Sequence, residues 1–243
     1  MINAIIFDFR DTLLRVDKAY RAANLFLWQF AREHEIYLTR RDFDKRLEKI
    51  IEDTKREFNG NPSIHSLNTI FLNRFFNTLH LKMSKPAFNR FIEGYDTVFA
   101  KHATLYPDAL AILRYLRQNK IPCGLVIDGA VKREKTVIRL LGLDSYFKVI
   151  VISQMVGKNK YTTIPLQSAL KKLHVMPVET LVVGDRIDKD IVHANSLGCV
   201  SVKLERHRGR YTNVKALHLK EKPKYMIRNL KELLPFITDN KAI

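Results

Sequence analysis

A chain of 243 residues is long enough to bury one large core, or one core carrying an inserted lid. With 46% hydrophobic and 28% charged residues it falls among globular proteins and outside the disordered ones. Its apolar runs, such as Ala4–Phe7 and Leu181–Val183, are far too short for a membrane-spanning helix, so no membrane partner is expected. The formal net charge of +17 is concentrated in two stretches. Residues 203–231 hold ten Lys and Arg against two Glu, and residues 114–172 hold twelve against three acids. Clustered basic residues attract phosphate backbones, but no nucleic-acid-binding module accompanies them. The reading is a solvated, highly charged surface without a sequence-specific nucleic-acid partner; an acidic, phosphorylated small substrate suits the same charge. Cys123 and Cys199 each stand at the start of a predicted strand, as buried free thiols rather than a disulfide or metal pair. No basic stretch with a small-residue cleavage site precedes the first apolar run, and a cytoplasmic location is expected.

In chain order, Ile2–Phe9 is a short apolar run carrying an acid near its end, as suits a buried central strand. From about Leu14 to Lys101 the period changes to helical. Ala19, Ala22, Ala23, Phe26, Leu27 and Phe30 follow one helical face, and Phe43, Leu47, Ile50 and Ile51 a second. Leu67, Phe71, Phe75 and Leu79 form a third stripe; Phe88, Phe91, Ile92, Tyr95 and Phe99 form a fourth. Such stripes read as bundle core, with Trp28 and Tyr95 left open as cleft residues. After Tyr106-Pro107 helices and strands alternate. Helices are predicted at Ala109–Gln118, Lys132–Leu141, Ile164–Leu173 and Asp188–Ser196, with strands at Ile121–Ile127, Lys148–Ile152, Thr180–Val183 and Cys199–Leu204. This alternation predicts an α/β fold, a doubly wound parallel sheet with an inserted all-helical cap. The core is assigned to residues 1–14 and 102–243, the cap to 15–101. Ligands of such sheets bind at the carboxyl ends of the strands. There is no internal repeat, low-complexity tract or glycine-rich phosphate loop.

Asp8 follows the first predicted strand, and Asp185 follows Thr180–Gly184. A carboxylate beside an apolar strand is costly unless it is paired or bound to a cation. One such acid caps the next turn as readily as it binds anything. Two at one sheet edge, with Asp188 and Asp190 close behind, point to an oxygen-ligand site of the kind Mg²⁺ takes.

These residues also resemble a known family. Phe7-Asp8-Phe9-Arg10-Asp11-Thr12-Leu13 is similar to motif I of the haloacid dehalogenase (HAD) superfamily, Asp-x-Asp-Gly-Thr-Leu. Leu125-Val126-Ile127-Asp128-Gly129 resembles motif II, Gly157-Lys158-Asn159-Lys160 the approach to motif III, and Gly184-Asp185 with Asp188 and Asp190 motif IV. The resemblance spans nearly the whole chain, and the helical stretch between motifs I and II matches a type-1 cap. It implies that Asp8 is a nucleophile forming an aspartyl-phosphate. It implies Mg²⁺ held by Asp8, the main-chain carbonyl of Arg10 and Asp185, with Asp190 assisting. Lys160, rather than its neighbour Lys158, would hold the phosphate against Asp8, with Asp128 and Gly129 as further substrate-binding residues.

Two positions depart from the pattern. Arg10 stands where the phosphatases carry the acid that protonates the leaving alcohol, and a guanidinium gives up no proton. Asp11, one place later where the family usually has Gly, points away from Asp8 if the segment is extended. Ile127 offers no hydroxyl where motif II has Ser or Thr. The leading expectation is a Mg²⁺-dependent phosphohydrolase of reduced or unusual activity on a small phosphorylated metabolite. A second is a non-catalytic descendant binding a phosphorylated ligand or partner, with Arg10 as anion anchor. A C–halogen hydrolase is third, since those relatives usually lack the Gly-Asp motif that Gly184-Asp185 preserves. Arg40, Arg41 and Arg46 are candidate cap ligands, with solvated helix charge as the plainer reading. The eight histidines fall outside the motifs and read as surface or core.

Overall fold

The computed structural model describes residues 2–207, 209, 211 and 214–238. A four-residue strand, β1 (Ala4–Phe7), is buried throughout and lies at the centre of the sheet. It is followed by a two-residue strand, β2 (Leu14–Arg15), and then four helices: α1 (Asp17–Glu33), α2 (Arg40–Glu57), α3 (Asn68–Thr78) and α4 (Lys85–His102). Strand β3 (Thr104–Leu105) pairs antiparallel with β2, so the two ends of the helical insertion meet on a short ribbon. The remaining chain runs α5 (Pro107–Gln118), β4 (Cys123–Ile127), α6 (Val131–Leu140), β5 (Val149–Ile152), α7 (Ser153–Val156) and α8 (Ile164–Leu173). It ends with β6 (Thr180–Gly184), α9 (Val192–Ser196), β7 (Val200–Leu204), β8 (Tyr225–Ile227) and α10 (Leu234–Thr238).

The sheet order is β5-β4-β1-β6-β7-β8, with every pairing parallel. The chain fills one side of β1 first and then crosses to the other, so strand order reverses at β1. Phe7 registers with both Leu125 and Val183. Asp8, Asp128 and Asp185 therefore leave the sheet at the same edge.

The four stripes of the insertion pack as read. Helix α1 lies along α4, where Phe26 stacks on Phe91 at 5.4 Å. Thr39 and Ser84 cap α2 and α4 by accepting from the N–H groups of Asp42 and Ala87. Phe76 is buried among Phe30, Phe88 and Phe91, with its ring 4.9 Å from that of Phe91. Phe76→Ala is expected to cost about 3–5 kcal/mol, read from the urea midpoint, because packed neighbours relax only partly into the cavity.

One predicted helix begins late. The segment read as Asp188–Ser196 opens with a wide π-type turn, Ile187–Ile191, before α9. Asp190 and Ile191 both donate their N–H to the Arg186 carbonyl, while Asp190 Oδ2 accepts from the Arg186 N–H at 3.0 Å. That folded-back carboxylate sets the turn and leaves Asp190 against Gly184, where any Cβ would collide with it. Both cysteines are free and buried, and burial pushes each thiol up to about 12. Part of the basic segment is structural. Lys203 is buried on Glu205 (2.7 Å), and Arg206 on Asp108 (2.6 Å) with its guanidinium 3.8 Å over Tyr106. Among the described residues, no helix is long and apolar enough to cross a membrane.

Candidate active site

Asp8 leaves β1 with its N–H on the Val183 carbonyl at 2.8 Å. The chain then closes a tight turn: Leu13 and Leu14 both donate to the Phe9 carbonyl, and Asp11 donates to that of Leu14. Asp11 has φ of 59° within this turn. That corrects the extended reading, because left-handed backbone breaks the alternation of faces, and Asp11 lines the same cavity as Asp8. Asp is one of the few non-glycine residues that tolerate this conformation.

Asp8, Asp185 and Asp190 each offer a carboxylate oxygen within 4.8 Å of the others. Lys160 Nζ reaches into the group, 2.5 Å from Asp8 Oδ1 and 2.5 Å from Asp190 Oδ1. The Lys160 main chain donates to Asp128 Oδ1 at 2.7 Å, and Lys189 holds Asp128 Oδ2 at 2.6 Å. Lys158 instead extends outward to Ser63 at 3.4 Å. Burial alone would lower the Lys160 pKa, but the carboxylates of Asp190, Asp8 and Asp128 outweigh it and hold the ammonium charged. Burial, and then the neighbouring carboxylates of Asp8 and Asp190, raise Asp185 well above the carboxylate range. Burial, opposed by Lys160, lifts Asp190 to about 6.

Three clustered acids opposed by one ammonium are the donor set that a hard divalent cation neutralises. In the metal-free chain the raised Asp185 pKa costs stability. Its contribution is present below the ordinary carboxylate pKa and lost as pH rises toward the folded value. Asp185→Asn is therefore expected to raise the metal-free melting temperature near neutral pH by about 2–4 °C, on the order of 1 kcal/mol. The same variant should lose any upward shift that added Mg²⁺ is expected to give the unmodified chain through the Asp8, Asp185 and Asp190 group. Thermal melts with and without Mg²⁺ check both.

Arg10 is held on two sides. Its Nη1 donates to the Asp128 carbonyl at 2.9 Å, and its Nη2 is ion-paired with Glu134. Glu134 also accepts from Arg133 Nε at 3.0 Å, and Arg133 Nη1 lies 3.5 Å from Asp96 Oδ1 on α4. A row of alternating charge, buried at Arg133 and Glu134 and part-exposed at Arg10 and Asp96, thus runs from the turn after Asp8, through α6, into the helical insertion. Burial raises the Asp96 pKa, offset in part by Arg133. Neither Arg133 nor Glu134 stands out in the sequence, since an Arg-Glu pair early in an amphipathic helix reads as solvated. The Gly129 N–H is given to Ser153 Oγ at 3.1 Å, and a side chain at Gly129 would run into Glu134.

Above the carboxylates is a cavity of about 600 Å³ shared with the insertion, which contributes Tyr20, Asn24, His65, Asn68 and Tyr95 to its lining. Its rim is closed by Asn159, whose Nδ2 donates to the carbonyls of Asn61 (2.7 Å) and Ile64 (2.8 Å) and whose N–H donates to Pro62. His65 was not singled out by any motif, yet its Nδ1 lies 3.1 Å from Ser153 Oγ at the cavity wall. Trp28 is outside the lining, under the guanidiniums of Arg32 and Arg40. Arg40 pairs with Asp44 and Arg46 donates to the Thr78 carbonyl, and neither they nor Arg41 line the cavity.

A parallel sheet whose order reverses at a carboxylate-bearing strand, roofed by helices, defines a doubly wound α/β architecture with its candidate site at the switch point. Residues 5–203 match the haloacid dehalogenase-like hydrolase family, and the chain belongs to it. It is 30% identical over 98% of its length to a glyceraldehyde 3-phosphate phosphatase of Methanopyrus kandleri, covering 98% of that protein. Its fold is similar to that of a HAD phosphatase from Thermococcus onnurineus (TM-score 0.70, 22% identity, 99% of this chain and 100% of that one). It is equally similar to a 2-haloacid dehalogenase from Pseudomonas syringae (TM-score 0.71, 22% identity, all of both chains). Fold alone does not separate these two chemistries.

Proposed function

We propose that this chain is a Mg²⁺-dependent phosphohydrolase of small phosphorylated metabolites, with residues 15–101 as the cap and residues 1–14 and 102–243 as the core. The observation that carries this is the Asp8, Asp185 and Asp190 group with Lys160 between Asp8 and Asp190. A carbon–halogen hydrolase needs no such acid cluster, because no phosphate charge has to be neutralised. Asp8, Asp185 and the Arg10 carbonyl would hold Mg²⁺, with Asp190 assisting. The cation supplies charge neutralisation between carboxylate and phosphate.

Asp8 attacks phosphorus, the bond from phosphorus to the ester oxygen breaks, and that oxygen leaves as an oxyanion that takes its proton from water while an aspartyl-phosphate forms. Water then attacks the intermediate, gives its proton to solvent and releases phosphate, regenerating Asp8. Lys160 orients Asp8 and screens the incoming anion. Asp128 holds Lys160 and Lys189 at the phosphate end. Arg10 performs no proton transfer, because its guanidinium is committed to Glu134 and the Asp128 carbonyl. The relative from Methanopyrus kandleri supports a short sugar phosphate as the substrate class.

A phosphate-ester panel with and without Mg²⁺ tests the reading. Turnover is expected with Mg²⁺ and lost with chelator. Phosphate-ester binding without turnover of any ester would favour the non-catalytic alternative, which the two-sided tether of Arg10 also suits.

A further inference from the structure

Residues 58–67, between α2 and α3, bring three main-chain carbonyls of the insertion, those of Asn61, Pro62 and Ile64, onto a single core residue. That residue is Asn159, which is 2% exposed, lines the cavity and directly precedes Lys160. Its Nδ2 spends both hydrogens on the Asn61 and Ile64 carbonyls, and its N–H goes to that of Pro62 at 2.8 Å. Its Oδ1 accepts the Tyr161 N–H at 2.9 Å, which closes a turn around Lys160. One planar amide therefore holds the insertion by its nitrogen and the turn carrying Lys160 by its oxygen.

Two further ties run from this core segment to the same loop, Lys158 Nζ to Ser63 Oγ at 3.4 Å and the Tyr161 hydroxyl to Asn59 Oδ1 at 2.7 Å. Both are exposed, and water replaces such bonds at small net cost. The Asn159 bonds are buried, where an unpaired polar group is expensive. Lifting the loop would strip the amide of both its acceptors and free it to turn toward others. The backbone of Lys160 would move with it, and the Nζ that reaches Asp8 and Asp190 would lose its fixed aim.

We propose that Asn159 is a positioning residue that couples the seating of residues 58–67 on the core to the placement of Lys160 against Asp8. A phosphate held by Lys160 then tightens the loop, and a seated loop tightens phosphate, because coupling between two sites acts equally in both directions. This role rests on Lys160 as the phosphate-holding group of the proposed hydrolase, and its test is read in binding.

The probe is inorganic phosphate with Mg²⁺. The first readout is hydrogen exchange at the Asn159 N–H, whose acceptor is the Pro62 carbonyl of the insertion. Saturating phosphate is expected to slow that exchange about tenfold in the unmodified chain. The second readout is a calorimetric cycle. Asn159→Ala should weaken phosphate binding about tenfold with Lys160 present and by less than about threefold in Lys160→Met. Lys158→Ala, which cuts only an exposed tie to the same loop, should change affinity by less than about threefold. An Asn159 N–H indifferent to phosphate overturns the coupling, as does an equal loss in the Lys160→Met background or in Lys158→Ala. Should Lys160→Met not fold, the exchange measurement on the unmodified chain decides alone. A chain that binds no phosphate loses the coupling outright. One that shows the coupling and hydrolyses no ester would sink the hydrolase reading and keep the role of Asn159; one that turns over esters without the coupling would do the reverse.

Discussion

Asp8→Asn is expected to lower turnover of every phosphate ester by about 10⁶-fold, the low end of what enzymes add to an uncatalysed reaction. An amide is no nucleophile toward phosphorus, and no neighbouring group can replace it. Asp185 and Asp190 stand in the same cluster, but Asp190 is committed to Lys160 and to the Arg186 N–H. The fold should survive, because Lys160 keeps Asp190 and the Val126 carbonyl as partners. Two readouts separate mechanism from misfolding. The variant should keep a cooperative melt, and acid-quenched reactions with labelled ester should show labelled protein for the unmodified chain and none for Asp8→Asn. Residual turnover within about tenfold of the unmodified chain would remove the aspartyl-phosphate route.

The core was legible because buried parallel strands leave continuous apolar runs. Cys123–Ile127, Val149–Ile152 and Thr180–Gly184 fall within two residues of the predicted strands. The four aromatic stripes likewise specify four amphipathic helices. Short pieces were not legible. Leu14–Arg15 and Thr104–Leu105 pair only because the insertion brings its two ends together, and no local pattern signals that. The turn at Asp11 depends on a left-handed backbone that a spacing argument does not reveal. The π-type turn depends on the Asp190 carboxylate reaching back to Arg186. Asp8, Lys160 and Asp185 could be found because each follows a strand or a motif. Glu134, Arg133, Asn68 and His65 could not, since only the packing of the insertion on the core turns ordinary helix and loop residues into cavity wall.

The second large effect concerns the leaving group. On the proposed reading Arg10 stands in place of the usual acid, so departure of an alkyl oxygen is expected to lack a proton donor at that position, whereas an aryl oxide leaves as a stabilised anion. The loss of general acid–base help is typically about 10²–10⁴-fold. Aryl esters are therefore expected to exceed alkyl esters in kcat by about that factor, and labelled aspartyl-phosphate should accumulate because the second step lacks its base. The structure decides how the acid can be restored. Arg10→Asp alone would set a new carboxylate beside Glu134, which would retain only Arg133 as its cation. Two carboxylates in one buried space repel and hold a proton between them. Arg10→Asp combined with Glu134→Gln removes that repulsion and leaves Arg133 to Asp96. The double variant should raise alkyl-ester kcat by about 10²-fold or more and change aryl-ester kcat little, narrowing the ratio. A ratio near one in the unmodified chain would mean that a proton donor other than the motif I residue already acts. A double variant that folds, turns over aryl esters and gains nothing on alkyl esters would show that the site lacks room for the acid at this position.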